Sequence, residues 1–356
     1  MSTQISPETS TAIPVEISTP EPQGPPPEAV LTQMAFGALT TQALYVAAKL
    51  GIADLLAAGP RPVAELSAET ETHERSLYRV LRSLAGLGVF AEVAPQTFGL
   101  TPLAERLRTD FPGSMRNGAI FMGEQWHFNV WGNMMHSVRT GRPAWGHTHG
   151  AEVFEYFAAN PGHAEIFNGA MTDMSAGTAP AVVEAYDFSG FRQLADIAGG
   201  HGYLLAQILK ANPNLSGLLF DVAPVVEGAA ALLEREGVAS RVERVAGDFF
   251  GGVPRADAYI LKHIVHDWDD ERAGLILKNI NAAMEEDGRV LIVESVIPEG
   301  DGPHYSKTLD LEMLVSPGGI ERTAEEYAAL LAGAGLRLSR IVPTRSPFSI
   351  IEAVRG

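Results

Sequence analysis

The segment "QLADIAGGHGYLLAQILKAN", residues 193–212, joins a short apolar run to a longer one through a glycine-rich turn. The first run has the length of a buried strand, and the second has the apolar spacing of a helix. The same alternation continues from Phe188 to the end of the sequence. Short apolar strands that alternate with helices are typical of doubly wound α/β folds. We therefore predict a mainly parallel sheet over residues 188–356.

Seven runs in this region read as strands, and the last two are close enough in sequence to form a hairpin. A C-terminal hairpin predicts one antiparallel edge strand on an otherwise parallel sheet. The seven predicted strands are QLADIA (193–198), LSGLLFDV (215–222), RVERVAGD (241–248), DAYILKHIV (257–265), RVLIVES (289–295), RLSRIVPTR (337–345) and FSIIEAVRG (348–356).

The N-terminal half divides into three segments by composition. Residues 1–28 are rich in Pro, Ser, Thr and Glu and poor in large apolar residues, so we expect them to be disordered. Residues 29–112 read as helices followed by two short strands, 89–93 and 97–101, which is the outline of a winged helix. Residues 113–187 read as entirely helical.

Two of these segments leave alternatives open. The winged helix, whose second helix is predicted over 75–87, is either a DNA-binding module or a packing and dimerisation module. Its acidic residues balance its arginines and no basic recognition face emerges, so we favour dimerisation. The Met and aromatic residues scattered through 113–187 form either a core or a substrate pocket.

Composition excludes several classes of function. The 356 residues include no cysteine, which excludes disulfides, thiolate metal sites and cysteine nucleophiles. A formal net charge of −17 argues against a nucleic-acid partner. No apolar run approaches the roughly 18 residues that cross a bilayer, and residues 1–48 lack the Lys and Arg of a targeting peptide. We expect a soluble cytoplasmic protein with no membrane partner.

Polar residues follow the predicted strands at the edge where this fold class binds its ligands. The glycine turn lacks the third glycine of a dinucleotide fingerprint, since Leu205 stands there, and it lacks the lysine of a phosphate loop. Asp221 could accept two ribose hydroxyls, and Asp248 beside Phe249 could hold an adenine. Each of these could also be a turn or cap residue, but together they predict a nucleoside site without phosphate contacts.

The stretch "LKHIVHDWDD", residues 261–270, places a lysine and a histidine at the end of another strand. Taken alone, His266 reads as a residue beside a helix N-cap. Because Lys262 precedes it and acids such as Glu294 and Glu321 accompany the other motifs, we favour a catalytic role for His266.

The order and spacing of six motifs then identify a family. "DIAGGHG", "FDV", "GDFF", "LKHIVHDWDD", "VESVIPE" and "PGGIERT" resemble the S-adenosylmethionine-dependent O-methyltransferases of the plant phenylpropanoid type and their bacterial relatives that act on polyketides and small aromatics. The resemblance runs from about Ala29 to the C-terminus. It implies a class I methyltransferase fold with a winged-helix dimerisation domain, S-adenosyl-L-methionine as cofactor, no metal, and a homodimer.

The resemblance also implies roles for individual residues, carried over by motif position. It makes His266 the catalytic base, flanked and oriented by Glu294 and Glu321. The implied cofactor-binding residues are Gly199, Gly200, Gly202, Asp221, Asp248, Phe249, Lys262 and Asp267, and the implied substrate-binding residues are Phe167, Met171, Asp310 and Met313. Ala198 departs from the family, which usually has a glycine there, and its methyl group is expected to crowd the cofactor. His201 has no family role.

Methyl transfer from a sulfonium to a phenol is helped by a base, because a neutral phenol with a pKa of about 10 is a poor nucleophile. Histidine is suited to that proton transfer near neutral pH. We therefore expect O-methylation of a small aromatic hydroxyl. The alternatives are nitrogen methylation or non-methyl chemistry on the same fold, a winged-helix DNA-binding regulator, and a catalytically inactive dimeric scaffold.

Overall fold

The computed structural model describes residues 25–356, in two units that meet in sequence between Thr40 and Thr41. Residues 1–24 of the segment expected to be disordered lie outside the described residues. Helix α1 (Pro27–Ala35) begins inside that predicted segment, because a proline at the first helical position needs no N–H partner. The first unit thus consists of α1 and the start of α2 (Gly37–Lys49).

The predicted winged helix is present in the second unit. Helix α5 buries Leu77, Leu81 and Leu84. A small antiparallel sheet of order β1-β3-β2 accompanies helices α4 and α5, with β1 before them in sequence and β2 and β3 after them. The elements are α3 (Ile52–Leu55), β1 (Arg61–Pro62), α4 (Val63–Glu69), α5 (Glu74–Gly86), β2 (Phe90–Ala94), β3 (Thr97–Leu100) and α6 (Pro102–Glu105).

We predicted no basic face on the winged helix, but the exposed face of α5 carries three arginines close together. Arg75, Arg79 and Arg82 line one surface cavity together with Glu74 and Tyr78. Arg82 lies over the Tyr78 ring, 5.3 Å from its centroid. The arginines are thus gathered locally, although the charge balance of the segment is even.

Residues 113–187 are helical, as predicted. Phe121, Trp126, Trp145 and Phe157 pack together with partly buried neighbours, and we call this group the aromatic cluster. Within residues 25–356, no helix combines the length and the apolarity that a bilayer crossing requires. The helices are α7 (Arg116–Gly123), α8 (Gln125–Gly132), α9 (Met134–Thr140), α10 (Ala144–His149), α11 (Val153–Ala159) and α12 (Pro161–Ala185).

The C-terminal region forms the predicted seven-stranded sheet, in the order β11-β12-β8-β7-β4-β5-β6. The expectation of an antiparallel edge strand was wrong in its position. β12 is the antiparallel strand, and it lies between β8 and β11 because its Ser349 to Ala353 pair with β8. The strands are β4 (Gln193–Ile197), β5 (Ser216–Asp221), β6 (Val242–Ala246), β7 (Ala258–Lys262), β8 (Arg289–Glu294), β11 (Leu336–Pro343) and β12 (Ser349–Arg355).

Both faces of this sheet are covered, since Leu194 belongs to one hydrophobic core and its neighbour Ala195 to another. The helical stretch between β5 and β6 is divided at Ala229 into two short helices. The covering helices are α13 (Tyr203–Ala211), α14 (Ala223–Gly228), α15 (Ala230–Arg235), α16 (Asp270–Ala283) and α18 (Ala324–Gly333).

One insertion between β8 and α18 was not predicted. β9 (Val296–Ile297) pairs in parallel with β10 (Arg322–Thr323), and α17 (Tyr305–Val315) lies between them in sequence. β9 follows β8 after a single residue. The pairing therefore brings the "GGIERT" motif to the carboxyl end of β8.

Candidate active site

The glycine turn after β4 has an unusual backbone. Gly200 and Gly202 have φ of +59° and +78°, in the left-handed region that glycine tolerates. A Cβ on Gly199 would lie 2.4 Å from the Asp196 carboxyl carbon, so glycine makes room for that side chain. A Cβ on Gly200 would have no neighbour within 4 Å. The turn therefore presents bare backbone to open space.

Ala198 has a φ of +54°, which a residue with a Cβ adopts at a cost of about 1–2 kcal/mol. The replacement of the family's glycine thus strains the backbone. The expectation that the methyl group crowds the cofactor stays a prediction.

Asp221 ends β5 and holds the glycine turn. Its Oδ2 accepts a hydrogen bond from the Gly200 N–H at 2.9 Å, and its Oδ1 accepts one from the Val222 N–H at 2.7 Å. Burial raises the pKa of this carboxyl. Each oxygen keeps a further lone pair, which suits the two hydroxyls of a ribose.

Two phenylalanines after β6 contact a tryptophan that follows the Val265–Asp267 turn. Phe249 and Phe250 meet the Trp268 ring edge-on, with centroids 5.9 and 4.9 Å away. Asp248 accepts a hydrogen bond from the Phe250 N–H at 2.9 Å and is exposed to solvent. An acceptor beside a ring face is what an adenine requires.

Lys262 and Asp196, near the glycine turn, interact electrostatically. Burial lowers the pKa of Lys262 to about 8, against the opposing charges of Asp196, Asp267 and Glu294. Burial raises the pKa of Asp196 to about 7, and its Oδ2 is buried without a hydrogen-bond partner among the described residues. An unsatisfied carboxylate oxygen in a buried site is a candidate for a ligand N–H. The residues at the carboxyl ends of β4 to β7 therefore fit a ligand that carries an ammonium group and a nucleoside.

His266 lies in a 3-10 turn, Val265–Asp267, and is 4% exposed. Its Nδ1 is 2.5 Å from Oε1 of Glu321, which is also buried. Its Nε2 is 3.6 Å from the nearer oxygen of Asp267. Glu321 can accept the Nδ1 proton, and this fixes the tautomer that leaves the Nε2 lone pair free.

Glu294 is close to His266 but binds its backbone. One oxygen accepts the N–H groups of Ile264 and His266, both at 3.1 Å, and the other accepts the Tyr327 hydroxyl at 2.5 Å. The prediction that Glu294 orients the imidazole is therefore corrected. Glu294 fixes the turn, and Glu321 fixes the ring.

Asp310, whose role in substrate binding stays a prediction, supports Glu321. Its Oδ1 accepts the Glu321 N–H at 2.9 Å. Gly319, two residues before Glu321, is packed against the Val265–Asp267 turn, because a Cβ there would lie 1.8 Å from the His266 carbonyl oxygen. The Ile320 N–H donates to that same oxygen at 2.8 Å. The loop and the turn are thus in direct backbone contact.

Charges around His266 set its proton affinity. Burial alone lowers the pKa of the imidazole, but the hydrogen bond to Glu321 and the charges of Asp267, Glu294 and Glu321 outweigh burial and raise it to about 9. Burial raises the pKa of Asp267 to about 7. The site therefore stabilises an imidazolium, which is the product of base catalysis.

The remaining predicted substrate residues lie in or near the helical region. Phe167 and Met171 of α12 pack against the aromatic cluster, and Phe167 stacks on Phe157 with ring centroids 4.7 Å apart. Met313 of α17 is buried. Whether these three contact an acceptor stays a prediction.

Several site residues were missed. Asp196 could have been suspected as a carboxylate inside an apolar strand. His263 has a φ of +57° and an unpartnered buried Nε2, and Tyr327 reaches Glu294 from α18. Nothing in the local sequence signals either of these two. Within the described residues, no group of three or more metal-ligating side chains could hold a metal ion.

Comparison with known proteins places this site in a family. The O-methyltransferase domain family matches residues 131–337, and the O-methyltransferase dimerisation domain family matches residues 32–110. The chain is 46% identical over 329 residues to phenazine O-methyltransferase PhzM of Lysobacter antibioticus, covering 92% of this chain and 96% of that protein. The crystal structure of LaPhzM has a TM-score of 0.90 at 46% identity and covers 93% of this chain and 100% of that one.

Two further relatives bear on cofactor and chemistry. The O-methyltransferase NcsB1 from neocarzinostatin biosynthesis was solved with S-adenosylmethionine and 2-hydroxy-5-methyl naphthoic acid; its TM-score is 0.77 at 32% identity, covering 89% of this chain and 96% of that one. The 8-amino-8-demethylriboflavin N,N-dimethyltransferase of Streptomyces davaonensis is 38% identical over 315 residues, or 87% of this chain and 90% of that protein. The chain therefore belongs to the O-methyltransferase family, uses S-adenosyl-L-methionine, and carries that family's dimerisation domain before its O-methyltransferase domain.

Proposed function

We propose that this enzyme methylates a hydroxyl of a small aromatic acceptor, with His266 as the general base. The observation that carries the proposal is the buried contact between His266 Nδ1 and Glu321, 2.5 Å long, which leaves Nε2 available. Glu321 then stabilises the imidazolium formed when Nε2 takes the hydroxyl proton.

The cofactor supplies an activated methyl group on a sulfonium. The residues at the carboxyl ends of the strands are proposed to bind and orient the cofactor. Asp221 is proposed to accept the ribose hydroxyls, and Phe249 to cover the adenine beside Asp248. Lys262 is proposed to pair with the carboxylate of the methionine part, and Asp196 with its ammonium. Gly199, Gly200 and Gly202 let the backbone approach it. Asp267 lies between this group of residues and His266.

A pKa of about 9 leaves the His266 ring protonated at pH 7 before ligands bind. A cation bound beside the ring lowers its pKa. Occupation of the cofactor site by a sulfonium therefore favours the neutral ring that can accept a proton. The burial of His266 also excludes water, which would otherwise compete for that proton.

The test is His266→Ala with a panel of phenols, catechols and quinols, followed by cofactor consumption. We expect turnover to fall by at least about a hundredfold, with cofactor affinity in calorimetry nearly unchanged. His147→Ala, on the exposed side of α10, is the matched control. Unchanged turnover in His266→Ala overturns the base assignment.

Nitrogen methylation is the second candidate, because one relative is an N,N-dimethyltransferase. A neutral aromatic amine is already nucleophilic and needs little base assistance. An amine acceptor should therefore lose much less turnover than a phenol in His266→Ala, and the comparison of the two acceptor classes separates the candidates.

We also propose that the enzyme is a homodimer, because residues 32–110 match the family's dimerisation domain. Sedimentation should give twice the mass of the chain. The DNA-binding alternative predicts a gel shift at low salt, where phosphate contacts are strongest, and we expect none.

A further inference from the structure

A second buried charged group lies on the acceptor side of the site. Glu312 of α17 accepts hydrogen bonds from two side chains of α8, His127 Nε2 at 2.8 Å and Trp131 Nε1 at 2.7 Å. His127 is fully buried beside the Phe121 ring, with centroids 4.2 Å apart. Burying a charged group beside aromatic rings costs free energy unless the group is paired. The Glu312 carboxylate is paired, and the purpose of this buried pair requires an explanation.

The Glu312 carboxylate is ionised. Burial raises its pKa, but the charge of His127 and the hydrogen bonds from His127, Trp131 and Ser316 outweigh burial and hold the pKa below its ordinary value. Since an ionised carboxylate only accepts hydrogen bonds, the proton between the pair must sit on His127 Nε2. The two α8 side chains therefore fix the carboxylate in one orientation.

This carboxylate is partly exposed and lies within electrostatic reach of Asp267, the neighbour of His266. The Glu312 side chain is 15% exposed while that of His127 is 0% exposed, so the accessible side of the pair is Glu312. Glu312 neighbours Met313 and follows Asp310, which holds Glu321. Its charge also reaches Asp267 and Tyr305, and Tyr305 feels the charge of Glu321 as well. Glu312 and Glu321 thus act on the same two side chains, Asp267 and Tyr305, and the acceptor space is inferred to lie among these four residues.

The charges around this space are mostly negative. Asp267 is within electrostatic reach of Glu312, Glu321 and Glu294. His266 is within reach of Asp267, Glu294 and Glu321. A carboxylate on the acceptor would enter against this field, whereas an O–H or N–H group would find a fixed, charged acceptor in Glu312.

We propose that Glu312 is a specificity-determining residue, which selects aromatic acceptors that carry a second O–H or N–H donor besides the reacting hydroxyl and rejects acceptors that carry a carboxylate. His127 and Trp131 are positioning residues that hold Glu312. This proposal rests on the proposed function for the location of the acceptor, but it concerns binding and requires no methyl transfer.

The test measures binding to the full-length enzyme saturated with S-adenosylhomocysteine, by calorimetry. The probes are 2-naphthol, the isomeric dihydroxynaphthalenes and the isomeric hydroxynaphthoic acids. We expect at least one dihydroxynaphthalene to bind about tenfold or more tighter than 2-naphthol, and every hydroxynaphthoic acid to bind about tenfold or more weaker, as charge-assisted hydrogen bonds and their loss predict. Any other ranking, including no binding of the dihydroxynaphthalenes, overturns the proposal.

Glu312→Gln removes the charge and keeps the shape, so we expect both ratios to shrink by about tenfold. Trp131→Phe, which removes one positioning hydrogen bond, should shrink them less. Glu286→Gln, an exposed residue at the opposite end of β8, is the matched control. A merely structural role for Glu312 would weaken all probes equally and leave the ratios unchanged, which would refute the proposal. A failure of methyl transfer with these ratios intact would count against the proposed function alone.

Discussion

The two sides of the sheet edge hold their polar side chains in different ways. On the β5–β6 side, Asp221 binds Gly200 and Val222, and Asp248 binds Phe250, so two of these three partners lie within two residues. On the β7–β8 side, His266 binds Glu321, 55 residues away, and Glu294 binds Tyr327, 33 residues away. The first, which we call the cofactor side after its proposed role, is thus built mainly from local turns. The second, which we call the base side after the proposed role of His266, is assembled from distant segments.

This contrast predicts that packing changes damage the base side most. Gly319→Ala places a methyl group 1.8 Å from the His266 carbonyl oxygen. We expect the free energy of unfolding to fall by about 3 kcal/mol and turnover to be lost, as measured by denaturant unfolding and cofactor consumption. Gly190→Ala, where no atom lies within 4 Å of the new Cβ, is the control. A stable and active Gly319→Ala enzyme would contradict the contact.

The second prediction concerns the charge on the base side. Glu321→Gln removes a charge that raises the pKa of His266, and it weakens the hydrogen bond to Nδ1 that raises it further. We expect kcat to fall by about tenfold to a hundredfold, and the acidic limb of the kcat/KM profile to move to lower pH because the imidazole loses its proton more easily. Glu325→Gln, exposed in α18, should leave the profile unchanged. A limb that moves to higher pH would reverse the assigned role.

On the cofactor side a single change should affect binding more than turnover. Asp221→Asn weakens the acceptor for the Gly200 N–H and for the proposed ribose hydroxyls. We expect cofactor affinity in calorimetry to drop by about tenfold to a hundredfold, with kcat at saturation nearly unchanged. Asp287→Asn, an exposed residue before β8, is the control. A large fall in kcat with normal affinity would disprove the division between the two sides.

The smallest effect is expected at the strained turn. Ala198→Gly removes a Cβ from a residue with a φ of +54°, and it should raise the free energy of unfolding by about 1 kcal/mol. Ala229→Gly, at a φ of −71°, should lower that free energy instead. Equal destabilisation by both changes in denaturant unfolding would show that Ala198 carries no strain.

Features built from local sequence could be predicted, whereas contacts between distant segments could not. The strand positions, the glycine turn and the position of Asp221 at a strand end are local patterns, and the residues alone predict each of them. The order of β11 and β12, the β9–β10 pair and the contact of Tyr327 with Glu294 depend on residues far apart in sequence, and no periodicity encodes them. Glu294 therefore lies beside His266 with partners other than the expected imidazole, namely two backbone N–H groups and the Tyr327 hydroxyl. The contact of Asp310 with the Glu321 N–H was likewise not expected.

The β9–β10 pair connects α17, which carries the proposed acceptor-binding residues, to the segment that holds the proposed base. One end of α17 carries Glu312 and Met313, and the chain then passes through Gly319 to Glu321. An acceptor that fits poorly and pushes α17 outward would pull Glu321 from the imidazole as well. In the proposed mechanism, the fit of the acceptor against α17 and the proton affinity of His266 therefore depend on the same segment. A molecule that fits poorly would meet a His266 that is a weaker base.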